Sequence, residues 1–340
     1  MFFEIASYQE KILKWFESNG RHNLPWQDDF EPYKILVSEV MLQQTQVATV
    51  IPYFIKFIEA FPNIISLSIC PEDKLMSYWS GLGYYRRASN LKKAAVKIIE
   101  DFQGSVPNNL KDLLSLPGIG LTTANAILSI SFGESAPILD GNVIRIFSRM
   151  FMIQGPYINS KIQKSLWEIA YKLIPNSNTQ KYTQSQMDLG STICTRNKPK
   201  CTKCPINKFC LSYINNSVDS FPTRKNRIVK RIVKKNYYIY FFKKEFLVVK
   251  NSSSGFWPNL YVLPEFLLNK EHVTILCENV THMFTHIKLC FNISFCKLNE
   301  KKSFAGFQWI CIDRFNDYGF PAPIKKKIIF FINNVINTVK

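Results

Sequence analysis

A mainly α-helical core followed by a smaller α/β domain is the fold class predicted by this 340-residue sequence. Three observations predict it. Apolar residues recur at spacings of three and four through about residue 215, the period of helices that bury one face. A polar, turn-rich stretch, INNSVDSFP at 214–222, then breaks the pattern. Past it, short β-branched and aromatic runs read as strands.

In chain order, the helical pattern covers 33–57, 88–99, 121–130 and 143–152. Pro62-Asn63, the stretch 104–109 and the stretch 133–137 punctuate these runs with Pro, Gly and Asn. Strands are expected at 237–242, 246–249, 289–295 and 307–312, and a last helix at 324–339. A linker is expected at 215–235. Within it and running to its end, Arg224, Lys225, Arg227, Lys230, Arg231, Lys234 and Lys235 occur without an acid among them. No repeat of fixed period is present.

Hydrophobic residues make up 46% of the chain, which excludes a disordered protein. The N-terminal stretch carries Glu4 and Glu10 and lacks a basic leader and a small-residue cleavage site, so no signal peptide is expected. No apolar run reaches the roughly 18 residues of a membrane span. A soluble cytoplasmic protein with no membrane partner is the expectation. The net charge of +18 suits a polyanion such as nucleic acid. Richness in Lys, Asn and Ile is also what an AT-biased genome produces, so charge alone leaves that question open.

Four of the nine cysteines, Cys194, Cys201, Cys204 and Cys210, are spaced C-x6-C-x2-C-x5-C. So short a loop cannot pair them as two unstrained disulfides, but four thiolates can close around one metal group. Zinc sites usually show two C-x2-C pairs or a Cys/His mixture, so one [4Fe–4S] cluster is favoured over zinc or an unmetallated core. Arg196, Lys198, Lys200, Lys203 and Lys208 in the same loop either follow phosphates or form a solvated surface.

Leu116-Pro117-Gly118-Ile119-Gly120 lies between two helical runs. Its glycines allow backbone angles closed to other residues, and its N–H groups precede a helix that begins at Leu121 or Thr122. That geometry binds phosphate; it is also that of an ordinary tight turn. Glu39 sits among apolar neighbours, where burial raises a carboxyl pKa and keeps it a proton donor. Asp140 follows Pro137-Ile138-Leu139 and opens a helix, which makes it an N-cap and a place for an ionised carboxylate. Two carboxylates in different environments can divide the roles of acid and anion between them; a solvated helix residue at Glu39 and a plain cap at Asp140 are the alternatives.

The hairpin followed by Asp140 resembles the helix–hairpin–helix DNA glycosylases with their Gly/Pro…Asp signature, and the cysteine spacing resembles their iron–sulfur branch. Ser38 to Val47 (SEVMLQQTQV) is similar to the MutY-type adenine DNA glycosylases almost residue for residue. So are Leu24-Pro25-Trp26, Gly81-Leu82-Gly83-Tyr84-Tyr85, Ile138-Leu139-Asp140-Gly141-Asn142-Val143 and Met187-Asp188-Leu189-Gly190. The likeness is dense from about 8 to 212 and thinner beyond. It implies a glycosylase core over 1–214, with a six-helix subdomain at about 24–134 and a cluster subdomain made of 1–23 plus 135–214. It implies further a Nudix-like lesion-recognition domain over 236–340, in which Gly255-Phe256-Trp257 through Leu263-Pro264-Glu265-Phe266 carry the likeness and the acidic hydrolysis signature is missing.

By this resemblance the chain is a bacterial, nucleoid-associated monomer. It flips adenine from a duplex opposite 8-oxoguanine or guanine and hydrolyses its bond to deoxyribose. Glu39 protonates the adenine and assists water, and Asp140 stabilises the oxocarbenium or a transient covalent adduct. Leu116, Gly118, Gly120, Thr122 and Asn142 meet DNA. Tyr84 stacks as a wedge and Gln44 plugs the gap. Phe284-Thr285-His286 resembles the family's Phe-Ser-His loop that contacts the lesion. Trp26 walls the base pocket, and Arg21 and His22 lie near DNA. Strand-cutting relatives of the endonuclease III type carry Lys where this chain has Thr122, so a monofunctional enzyme is implied; some adenine glycosylases carry Lys where it has Ile144, which precludes adventitious Schiff-base trapping there and leaves base removal untouched. The alternatives are a strand-cutting pyrimidine glycosylase and a catalytically inert iron–sulfur DNA-binding protein.

Overall fold

The computed structural model describes residues 3–223, 229–252, 255–267 and 273–336. Arg224, Lys225 and Arg227 of the basic run lie outside the described residues. By packing, the chain forms two compact units: Met1–Ser68 with Lys93–Asn226, and Ile69–Lys92 with Arg227–Lys340. The Ile69–Lys92 segment, central to the helical core by sequence order, thus packs with the C-terminal sheet.

The helices are α1 Ile5–Asn19, α2 Pro32–Leu42, α3 Val47–Ala60, α4 Ile64–Ser68, α5 Glu72–Trp79, α6 Arg86–Phe102, α7 Leu110–Ser115 and α8 Leu121–Phe132. After them come α9 Gly141–Met150, α10 Ser160–Leu173, α11 Thr179–Thr192, α12 Leu211–Ile214 and the C-terminal α13 Ala322–Phe331. The pattern at 33–57 is interrupted: α2 ends at Leu42 and α3 starts at Val47, because Gln44 takes a left-handed φ of 59°. No described helix is long and apolar enough to cross a membrane.

Sequence dictates the ends and faces of these helices. In α1, Tyr8, Ile12 and Phe16 recur every fourth residue and are buried, in a helix that packs on α11. Asn109 caps α7 by accepting from the Asp112 N–H at 3.0 Å, and Asn159 caps α10 by accepting from the Lys161 N–H at 2.9 Å. α8 is buried from Thr123 to Ile130 on every side and packs against α2, α7 and α11. Its polar residues are spent inward: Ser129 and Thr183 share a 2.6 Å hydroxyl contact, and Asn125 donates to the Pro137 carbonyl at 2.7 Å.

Among the described residues the second unit carries six strands: β1 Arg231–Phe242, β2 Glu245–Lys250, β3 Tyr261–Val262, β4 Thr274–Met283, β5 Ile287–Lys297 and β6 Phe307–Cys311. Their order is β3-β2-β1-β5-β4, with β6 on β2. The β1–β5 pair is parallel and the others antiparallel, so the sheet is mixed. β1 begins at Arg231, inside the stretch expected as linker, since 231–236 already pairs with β5 in register. Two strands were not legible in the sequence. β3 is two residues long, and β4 is mostly exposed and loses register between Ile275 and Val280.

Candidate active site

The position of Asp140 is built from α8 outward. Pro137 is held by Asn125, Ile138 and Leu139 are buried, and the Thr122 hydroxyl donates to the Leu139 carbonyl at 3.3 Å. The next residue, Asp140, is the N-cap of α9. Its Oδ1 accepts from the backbone N–H of Asn142 at 3.0 Å and of Val143 at 2.8 Å. Its Oδ2 accepts from the Asn142 side chain at 2.9 Å. These bonds and the Arg145 charge favour the ionised form, yet burial outweighs them and the Asp140 pKa is raised.

Glu39 lies on α2, whose neighbours Val37, Ser38, Val40 and Met41 are buried while Glu39 keeps partial exposure. Burial, and then the nearby charge of Asp140, push its carboxyl up to about 7. The charge of Asp140 therefore reaches the Glu39 carboxyl. One is undersupplied with hydrogen bonds and holds its proton near neutrality; the other is triply bonded. That division suits a proton donor facing an anion.

The hairpin sits beside them. Gly118 has φ 82°, which a side chain would strain, and the Ile119 N–H closes the turn on the Leu116 carbonyl at 3.2 Å. α8 starts at Leu121 with Gly120 as its N-cap. Gln43, which sequence reasoning missed, reaches this turn by bonding the Gly118 carbonyl at 3.4 Å and the Thr123 hydroxyl at 3.3 Å. Gln44 points from the α2–α3 corner as an exposed residue.

α9 leads from Asp140 to the cysteine loop through two arginines that the sequence did not flag. Arg145 donates to the Asn142 side-chain oxygen at 2.9 Å, the Gly190 carbonyl at 2.6 Å and the Cys194 carbonyl at 2.6 Å. Arg149, 3% exposed, donates to the Cys194 sulfur at 3.3 Å and to the carbonyls of Thr195 at 2.8 Å and Phe221 at 3.0 Å. Their spacing of four residues, one face of a helix, is the signal that marks them. None of the nine cysteines is in a disulfide. Among the described residues no three ligand-type side chains stand as a ready single-ion site. Even so, Cys194, Cys201 and Cys210 all act electrostatically on Cys204, whose thiol burial and these neighbours push up to about 12. Four thiols this close, one bonded by a buried guanidinium, fit a group that demands thiolates.

Other expected residues fall into clear places. Arg21 is committed to Asp188, through its backbone N–H at 2.6 Å and its guanidinium at 2.5 and 2.9 Å. Trp26 is buried edge-on against Phe54. A cavity of about 480 Å³, walled in part by Phe16, His22, Gln27 and Gln184, opens in the first unit, and neither carboxylate lines it. In the second unit Tyr84 is 52% exposed with φ 48°, under the Arg87 guanidinium at 5.3 Å. Phe284, Thr285 and His286 form the β4–β5 hairpin tip, closed by the Phe284 N–H on the Ile287 carbonyl at 2.8 Å. Thr285 and His286 are exposed, while Phe284 packs on Phe256, Trp257 and His282.

The chain is similar to known proteins in sequence and fold. The HhH-GPD superfamily base excision DNA repair protein family matches residues 37–172. The adenine DNA glycosylase of Buchnera aphidicola subsp. Schizaphis graminum (strain Sg) is 37% identical over 347 residues, covering 96% of this chain and 99% of that protein. A solved thermostable thymine-DNA glycosylase superposes with a TM-score of 0.57 at 31% identity, over 62% of this chain and 97% of its own. An endonuclease III–DNA complex shares the fold, with a TM-score of 0.53 at 23% identity over 62% of this chain and 96% of its own. On the near full-length match above all, the chain belongs to the adenine DNA glycosylases of the HhH-GPD superfamily, hydrolases that remove adenine from DNA in base excision repair.

Proposed function

We propose that the chain removes adenine mispaired with 8-oxoguanine or guanine, as a monomeric, monofunctional glycosylase of the bacterial chromosome. The observation that carries this reading is Glu39 raised to about 7 by burial and by the charge of a multiply hydrogen-bonded Asp140. Protonated Glu39 delivers its proton to a ring nitrogen of the flipped adenine, and the bond from that base to the sugar breaks. The positive charge left on the sugar faces Asp140, directly or through a transient covalent bond. Water then adds to the anomeric carbon and gives its proton to the Glu39 carboxylate.

The other roles follow the same reading. Leu116, Gly118, Gly120, Thr122 and Asn142 hold the phosphate backbone of the flipped nucleotide. Tyr84 wedges the stack, Gln44 fills the gap, and Phe284, Thr285 and His286 read the opposite base. Thr122 supports monofunctional chemistry, because a hydroxyl cannot form the Schiff base that cuts the strand. Cys194, Cys201, Cys204 and Cys210 would hold one [4Fe–4S] cluster, which would fix the shape of the basic loop.

Single-turnover assays on duplexes carrying adenine opposite 8-oxoguanine, adenine opposite guanine, and thymine glycol test this reading. Adenine release that needs alkali to reveal a strand break supports it. Direct cleavage at thymine glycol replaces it with a strand-cutting pyrimidine glycosylase, and inertness on all three replaces it with a non-catalytic DNA-binding protein.

A further inference from the structure

Glu72 and Asp73, the acidic first turn of α5, face the C-terminal sheet of their own unit. Asp73 accepts from the Lys250 ammonium at 2.6 Å through one oxygen and from the Tyr261 hydroxyl at 3.0 Å through the other. Glu72 accepts from the Asn259 side chain at 2.9 Å. Tyr261 is 5% exposed and edge-on to Tyr318, and its backbone N–H donates to the Gly319 carbonyl at 2.9 Å. Burial and the Asp73 bond raise the Tyr261 phenol to about 12, so it remains a donor at any working pH. Gly319 lies so close that a Cβ there would sit 2.6 Å from the Met76 Cβ and 2.9 Å from the Met76 carbonyl carbon. The Ser80 hydroxyl donates to the Phe320 carbonyl at 2.7 Å. α5 is thus gripped at its first turn by β2 and β3 and further along by the segment 319–320 that precedes α13.

From α5 the hold passes directly to Tyr84. Trp79, fully buried at the last position of α5, donates its indole N–H to the Gly83 carbonyl at 3.1 Å. Arg87 donates to the same carbonyl at 3.1 Å and lies over both the Trp79 and the Tyr84 rings. The Gly81 N–H bonds the Tyr85 hydroxyl at 3.3 Å. Tyr84, left-handed and half-exposed, is the tip of a chain of buried contacts that begins at the sheet.

We propose that Asp73 and Tyr261 are positioning residues that act through α5 and Trp79 to set the Tyr84 wedge, so that the sheet carrying the lesion-reading hairpin also fixes the flipping device. The inference rests on the wedge reading of Tyr84. Neither residue touches the reacting atoms. Their effect is to keep Tyr84 in the strained pose that enters a base stack, a matter of preorganisation rather than of chemistry.

A double-mutant cycle on the full-length protein tests it, scored by single-turnover adenine release opposite 8-oxoguanine and by fluorescence of 2-aminopurine beside the mispair. Tyr84→Ala, Asp73→Asn and Tyr261→Phe are expected each to slow release by about tenfold and to leave the probe more stacked. In the Tyr84→Ala background the other two changes are expected to add nothing. Multiplying losses, or clamp variants with wild-type rates, overturn the inference and leave the wedge reading standing. A silent Tyr84→Ala overturns the wedge reading and the inference with it. If Asp73→Asn does not fold, Tyr261→Phe, which removes one oxygen atom, decides alone.

Discussion

A Cβ added to Gly190 would lie 2.4 Å from the Cβ of Asn142 and 3.1 Å from its Cα. α11 and α9 touch there without room for a methyl group. Asn142 is also the residue that binds Asp140 with both its backbone and its side chain. Gly190→Ala is therefore expected to push the start of α9 away and to loosen Asp140. The overpacking costs about 1–3 kcal/mol of stability. Single-turnover adenine release is expected to fall at least tenfold. A melting curve and a rate measurement check both, and an alanine variant with wild-type rate would show that Asp140 does not depend on this contact.

The pH profile follows from Glu39. Its carboxyl is raised from 4.5 to about 7, so it is protonated below that value and lost as an acid above it. Release is expected to be flat toward neutral pH and to fall tenfold per pH unit well above 7. The raised Asp140 pKa narrows the range from the acid side. The linkage to stability has a definite sign. The folded state binds the Glu39 proton more tightly than the unfolded chain, so stability declines as pH rises from 4.5 through 7. Glu39→Gln is expected to abolish release and spare DNA binding. It is also expected to raise stability above pH 7, by about 3 kcal/mol at most. Near-normal release from this variant would refute the role of Glu39.

Much of this site was legible in the sequence because its chemistry is local. Asp140 caps the helix that begins one residue later, and Gly118 marks a turn whose left-handed φ would strain a side chain. Glu39 among apolar neighbours read as a raised carboxyl, and burial does raise it. What stayed hidden depends on contacts far apart in the chain. Arg145 and Arg149 look like ordinary helix cations until α11 and the cysteine loop fold against them. The packing of Ile69–Lys92 with the C-terminal sheet rests on pairs such as Lys250 with Asp73, 177 residues apart, which no local pattern announces. The division of the strand β4 from its surroundings was equally invisible, since its mostly exposed face offers no clean alternation.

Asp188 gives the motif around Gly190 a second physical reason. It is fully buried and accepts from three Arg21 N–H groups and from the Gln184 side chain at 2.9 Å. Asp188→Asn puts an amide against donors it cannot satisfy and leaves the Arg21 charge unpaired. A loss of roughly 3 kcal/mol is expected, less than for a fully buried pair because Arg21 keeps some solvent. Chemical denaturation measures it. A loss within error of zero would mean that α1 and α11 hold together without the pair.

Arg149 is expected to decide whether the cysteine loop can hold the cluster proposed for it. It is buried, and its five N–H donors serve the Cys194 sulfur and the carbonyls of Thr195, Arg196 and Phe221. A lysine carries three donors on one atom and cannot span four acceptors that far apart. Arg149→Lys is expected to leave at least two of these acceptors without a partner, at about 1–3 kcal/mol for each that stays buried. Cluster content, read as brown absorbance per protein after anaerobic purification, is expected to fall by more than half, along with the melting temperature. Removing the group by chelation from the unaltered protein is expected to lower DNA affinity more than the rate of the bound complex, because the carboxylates stand on α2 and at the start of α9 rather than in the loop. A colourless unaltered protein would overturn the cluster assignment, and a fully loaded Arg149→Lys would show that the loop is shaped without this guanidinium.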